Sequence, residues 1–135
     1  MKNLLVLMLT IALGAATCEK ENTSCLLDKA FLLPFGEKCS LDDQKLTVHF
    51  RSISDSRCPE GVVCVWAGEA TVGLAIYVPQ GNLTRTMVLP GLSSDPVLDT
   101  VGVYIFTLHE VAPYPKAGVQ VADKDYTIRF SVKKL

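Results

Sequence analysis

The chain has 135 residues, 49% of them hydrophobic and 20% charged, with 13 Lys/Arg against 14 Asp/Glu for a net charge of −1. That length suits one domain, and a near-neutral balance without a basic block lacks the electrostatic footprint of a nucleic-acid binder. Such a chain can bury an adequate core without a metal.

The first element is not part of that core. Met1-Lys2-Asn3 is a short basic region, Leu4 to Leu13 is apolar but for Thr10, and Gly14-Ala15-Ala16-Thr17 are small residues before Cys18. This pattern predicts a signal peptide over 1–17, too short to span a bilayer. Losing Lys2 with it takes the net charge from −1 to −2. Small residues directly before a cysteine resemble the lipobox of bacterial lipoproteins, in which the cysteine becomes the N-terminus and carries the lipids. The chain departs from that pattern at Ala15, where the family has Leu, and at Thr17, which is larger than the usual Gly, Ala or Ser. The charged run Glu19-Lys20-Glu21-Asn22 is similar to a surface-export signal of some lipoproteins. The resemblance implies lipidation at Cys18, a membrane anchor, and a place on the outer membrane at its periplasmic or surface side. Ordinary cleavage would instead release a secreted protein with Cys18 as a thiol. Cysteine parity favours the lipid, because four cysteines remain without Cys18. Residues 18–24 then form the lipidated cysteine and a polar tether, and 25–135 the folded domain.

From there the strands follow in order. Cys25 to Leu33 is an apolar run with no clear period, broken by Pro34-Phe35-Gly36, and reads as a short strand, an irregular crossing or a helical turn. Cys39 to Gln44 leads into a turn. Lys45 to Ile53 alternates, with Leu46, Val48 and Phe50 on one face. Ala70 to Val78 alternates again through Val72, Leu74 and Ile76. Leu83 to Leu89 is a strand whose apolar face is interrupted by Arg85, which marks an edge. Pro90 to Pro96 is a loop. Gly102 to Val111 places Tyr104, Phe106 and Leu108 together, and Pro113 to Gly118 is a loop because its prolines cannot donate to a ladder. Asp125 to Lys133 closes the chain with Tyr126, Ile128, Phe130 and Val132 inward. Strands with one apolar face each, joined by Gly/Pro turns, predict an all-β, antiparallel, immunoglobulin-like β-sandwich, with a small barrel as the second choice.

The stretch Asp55 to Ala70 divides two of these strands and holds Cys58, Cys64 and the sole tryptophan, Trp66. Export favours disulfides, and of the three possible connectivities the local pairs Cys58–Cys64 and Cys25–Cys39 are expected, each contributing roughly 2–3 kcal/mol. Trp66 is expected to pack at the base of the pinned turn. The metal alternative joins Cys58 and Cys64 with His49 or His109, but five residues separate the cysteines where a zinc knuckle has two to four. No Cys-x-x-Cys supports a redox role and no Gly-x-Ser-x-Gly elbow marks a hydrolase.

The runs Asp55-Ser56-Arg57-Cys58-Pro59 and Cys64-Val65-Trp66-Ala67-Gly68-Glu69-Ala70 resemble a signature of bacterial secreted proteins and lipoproteins that carry no established activity. A second, weaker part of the likeness runs from Tyr104 to Leu108 and on to Pro113 and Pro115. The resemblance covers about Leu46 to Val132, implies export and a β-domain, and adds no catalytic residue. Arg57 and Glu69 flank the turn and are expected to pair across it or face a ligand; Tyr114, between two prolines, is an aromatic that either anchors a partner or packs on its own domain. The sequence thus predicts a non-catalytic cell-envelope lipoprotein that serves as a binding or structural module, with an envelope protein or a small ligand as its partner and without cofactor, metal or nucleic acid. An envelope metal-binding protein using His49, His109 or reduced cysteines is the alternative.

Overall fold

The computed structural model describes residues 25–135, so the signal peptide, Cys18 and the tether lie outside the described residues. The chain forms β1 (Ala30–Pro34), β2 (Lys38–Leu41), β3 (Leu46–Asp55), β4 (Glu69–Val78), β5 (Gly81–Pro90), β6 (Val97–Val101), β7 (Tyr104–Ala112) and β8 (Thr127–Lys134). A 3-10 turn, Asp123–Asp125, precedes β8. The strands make two four-stranded antiparallel sheets in the orders β1-β8-β7-β6 and β2-β3-β4-β5, packed as a sandwich and not closed into a barrel. The β2-β3-β4-β5 sheet joins consecutive strands throughout, whereas the other sheet pairs β6, β7 and β8 in order and adds β1 beside β8, so the first and last strands of the chain lie together; the chain changes sheet after β1 and after β5.

Alternation decides the layering. Leu46, Val48 and Phe50 of β3 and Val72, Leu74 and Ile76 of β4 turn inward to meet Phe106 and Leu108 of β7 and Ile128, Phe130 and Val132 of β8. Phe130 lies between Phe31 and Phe106, each 6.0 Å away by ring centroid, and Phe35 meets Phe50 edge-on at 5.3 Å. A bulge between Phe50 and Ser52 shifts the register on β4, which puts Arg51 outside and brings Ile53 back against the core.

Two strands escaped the sequence reading. β2 has only four residues, too few for a period to show, yet Cys39 and Leu41 are buried and pair with Val48 and Leu46. β6 fell within the interval after the Pro90–Pro96 loop. Its partly buried positions are Val97, Asp99 and Val101, and the carboxylate at the centre erases the apolar alternation. That carboxylate meets Arg85, the residue that interrupts β5, at 3.4 Å. Arg85 and Asp99 therefore join the edge strands of the two sheets, and β5 is the edge that Arg85 predicts.

The other open side is joined covalently. Cys25–Cys39 links the segment leading into β1 with β2, its Cα atoms 6.1 Å apart. Tyr104 and Lys134 both donate to Asp42 in the β2–β3 turn, at 2.7 and 2.8 Å, which ties the sheets at the end opposite Cys58–Cys64. The Phe50→Ala variant removes a wholly buried ring from the middle of this core. It is expected to cost about 3–5 kcal/mol in urea-induced unfolding, with little loss for an exposed control such as Lys133→Ala.

Candidate functional site

The site grows from the end of β3. Beyond Asp55 the chain keeps pairing with its partner strand: Ser56 N–H donates to Glu69 O and Cys58 N–H to Ala67 O, both at 2.8 Å. Such close pairing forbids a side chain at position 68. Gly68 has φ 67°, and a Cβ there would run into the carbonyl of Ser56; a Cβ on Gly91 would run into that of Ala67. Loops 56–68 and 91–96 are thus held together through backbone, with Gly91 N–H donating to Gly68 O at 2.8 Å.

Below them lies a buried ion pair. Arg57 is 5% exposed. It donates to Asp55 through Nε at 2.8 Å and Nη2 at 2.6 Å, and reaches the carbonyls of Val111 at 2.9 Å and Pro113 at 3.1 Å. The two-pronged geometry suits a planar guanidinium and not an ammonium. The Tyr114 ring covers the same guanidinium, 4.6 Å from its centroid, and Tyr126 OH donates to Asp55 at 3.1 Å. Burial works to raise the Asp55 pKa, but the hydrogen bonds and charge of Arg57 outweigh it and hold the carboxyl below its ordinary value. Burial, with the adjoining Asp55 charge and hydrogen bond, pushes Tyr126 up to about 12.

These contacts correct two expectations. Arg57 pairs with Asp55 and not with Glu69, because the β3–β4 ladder turns Arg57 under the loop while the Glu69 side chain stays at the surface. Arg57 is accordingly a clasp beneath the loop, its guanidinium covered by Tyr114. Trp66 does not cover the core: it is 82% exposed. Tyr114 and the buried ion pair already fill the place below the turn, and the small Cys58–Cys64 ring, with Cα atoms 5.8 Å apart, cannot bend its apolar run inward. Both disulfides have the expected partners.

What the clasp supports is an apolar display. Val63 is fully exposed, Val65 is 92% exposed and Leu92 82%. With Val62 and Trp66 they border a cleft of about 760 Å³ that also takes in Ser93, Ser94 and Tyr114. Leu92 has φ 64°, a left-handed conformation that a branched aliphatic residue rarely adopts and that places strain at the rim. Sequence reasoning missed Val62, Val63, Val65 and Leu92. The signal was available in Val62-Val63-Cys64-Val65-Trp66: five apolar residues in and beside a small disulfide ring cannot all face a core.

The histidines are not brought together. His49 lies in one sheet, its Nε2 3.1 Å from Gly36 O, and burial followed by the Lys38 charge lowers its pKa. His109 lies in the other sheet, its Nε2 2.8 Å from Ser131 Oγ. A nucleophile and base need a third group to orient the base, and no carboxylate hydrogen-bonded to His109 is found among the described residues. Among those residues no three of His, Cys, Asp or Glu cluster as metal ligands. No protein-family model matches the chain, nor does any curated protein or solved structure.

Removing one partner of the clasp leaves a buried charge. Asp55→Asn or Arg57→Ala is expected to cost about 3–5 kcal/mol, and Arg57→Lys to recover only part of it. Because the folded Asp55 pKa is depressed, its stabilisation is present above the unfolded carboxylate value near 3.9 and is lost as pH falls through the folded value. Acid unfolding curves should show that loss for the native protein and not for Asp55→Asn. Gly68→Ala is expected to lower the urea midpoint as strongly as a core truncation, since both its φ and the Ser56 carbonyl oppose a side chain.

Proposed function

We propose that this protein is a non-catalytic binding module of the bacterial cell envelope, exported by its N-terminal signal, anchored through lipid on Cys18, and recognising its ligand with the apolar loop end. The observation that carries the reading is the display of Val63, Val65, Trp66 and Leu92 on a rigid, disulfide-closed frame beside a cleft. Exposed apolar surface of this continuity marks interaction sites in soluble domains, and scaffold-held loops are where binding residues concentrate. The two disulfides support an oxidising compartment. Within the Asp55–Ala70 stretch, Asp55, Arg57, Cys58 and Gly68 hold the frame, and Trp66 is what it presents.

Intact mass of the protein extracted from membranes of its host, without reductant, tests the anchor. The expected mass is Cys18–Leu135 plus lipid, less four hydrogens; a lipid-free mass overturns it. A photo-crosslinking residue at position 63, compared in living cells with one at Lys133, tests the surface, with adducts expected at 63 alone. The Val63→Asp/Trp66→Ser double variant should keep stability within about 0.5 kcal/mol of the native protein while losing those adducts.

A further inference from the structure

The apolar patch stands at one end of a polarised molecule. Register gives the distances: Cys39 pairs with Val48, and Asp55 lies seven steps further along β3, about 23 Å at the ~3.3 Å rise of a strand. Cys25, bonded to Cys39, therefore lies in the half of the sandwich away from the patch.

The charges around the patch narrow the occupant further. Glu60 and Asp95 are exposed on the loops that carry it and Glu69 at the start of β4, against Lys116 on the facing loop, while Arg129, near Leu92, is paired with Glu110 at 3.5 Å. Arg57 is neutralised by Asp55. An anionic lipid surface meets repulsion from that rim, and a second copy docked end to end sets acid against acid. A cleft of about 760 Å³ with apolar walls is large enough to take bulky side chains of a polypeptide.

We infer that the loop end binds a protein segment in which aromatic or aliphatic side chains are flanked by Lys or Arg. The apolar side chains enter the cleft between Trp66 and Leu92, and the basic flanks meet Glu60, Glu69 and Asp95. This rests on the binding-module reading and specifies its partner.

A random twelve-residue display library, panned on the oxidised protein with counter-selection on Val63→Asp/Trp66→Ser, tests it. The expected outcome is enrichment of apolar sequences with neighbouring Lys or Arg. Synthetic peptides of that kind, made without tryptophan, should shift Trp66 emission to the blue as the indole is covered. Glu60→Lys/Asp95→Lys, whose apolar residues are untouched, should weaken them roughly fivefold at low salt. Enriched peptides without basic flanks, or indifference to the charge reversal, overturn the partner chemistry. So does a Trp66 shift with phosphatidylglycerol vesicles, or a concentration-dependent dimer in sedimentation, without peptide enrichment; either leaves the binding surface intact with another occupant. If peptides, vesicles and self-association all leave Trp66 emission unchanged, the binding-module reading falls as well.

Discussion

The pairing of Arg57 with Asp55 is the constraint on which the loop end depends. Two ionised groups taken out of water are costly unless each is well bonded, and here every nitrogen of the guanidinium and both carboxylate oxygens have a partner. Asp55 accepts from Arg57 and Tyr126, while Arg57 also reaches two carbonyls at the end of β7. Those partners come from both sheets. The pair consequently fixes the β3–β4 loop relative to β7 and β8, a job that apolar packing does without directionality. Tyr114 closes over the guanidinium and separates it from the cleft.

A floor of this kind explains why the residues above it stay out. The β3–β4 ladder continues to Cys58 and Ala67, so the loop is narrow where it leaves the sheet. The Cys58–Cys64 bridge closes its outer part, and Glu60 bonds to the backbone of the 113–118 loop through Pro115 O and Ala117 N–H. Held at three places, the loop cannot fold Val63, Val65 or Trp66 back onto the domain. Their exposure is a property of the frame, and a preformed apolar surface loses little entropy when a partner covers it.

The rest of the sandwich keeps that frame stiff and oriented. Cys25–Cys39 joins one open side and Arg85–Asp99 the other, while Asp42 gathers Tyr104 and Lys134 at the far end. The covalent join sits where the N-terminal segment enters, so a pull on that segment is passed to both sheets. The salt-bridged side is solvent-exposed and contributes little energy, but it places opposite charges on two edges that would otherwise offer unpaired backbone to other strands.

The sequence by itself determined the elements whose period is long enough to read. The alternation of β3, β4, β7 and β8 names the core residues and requires two packed faces, while four cysteines leave three connectivities open in sequence, of which the local pairs are the ones the fold forms. β2 was too short to show a period, and β6 hid because Asp99 faces a partner across the sheets. The loop end was legible only in outline. Arg57 and Glu69 flank the turn equally in sequence, and the choice of Asp55 over Glu69 depends on which side of the ladder Arg57 occupies and on carbonyls more than fifty positions away. Trp66 looks like a core residue by its chemistry alone. Only the tertiary structure, by filling the space beneath the turn with Arg57 and Tyr114, decided that the indole is presented to solvent.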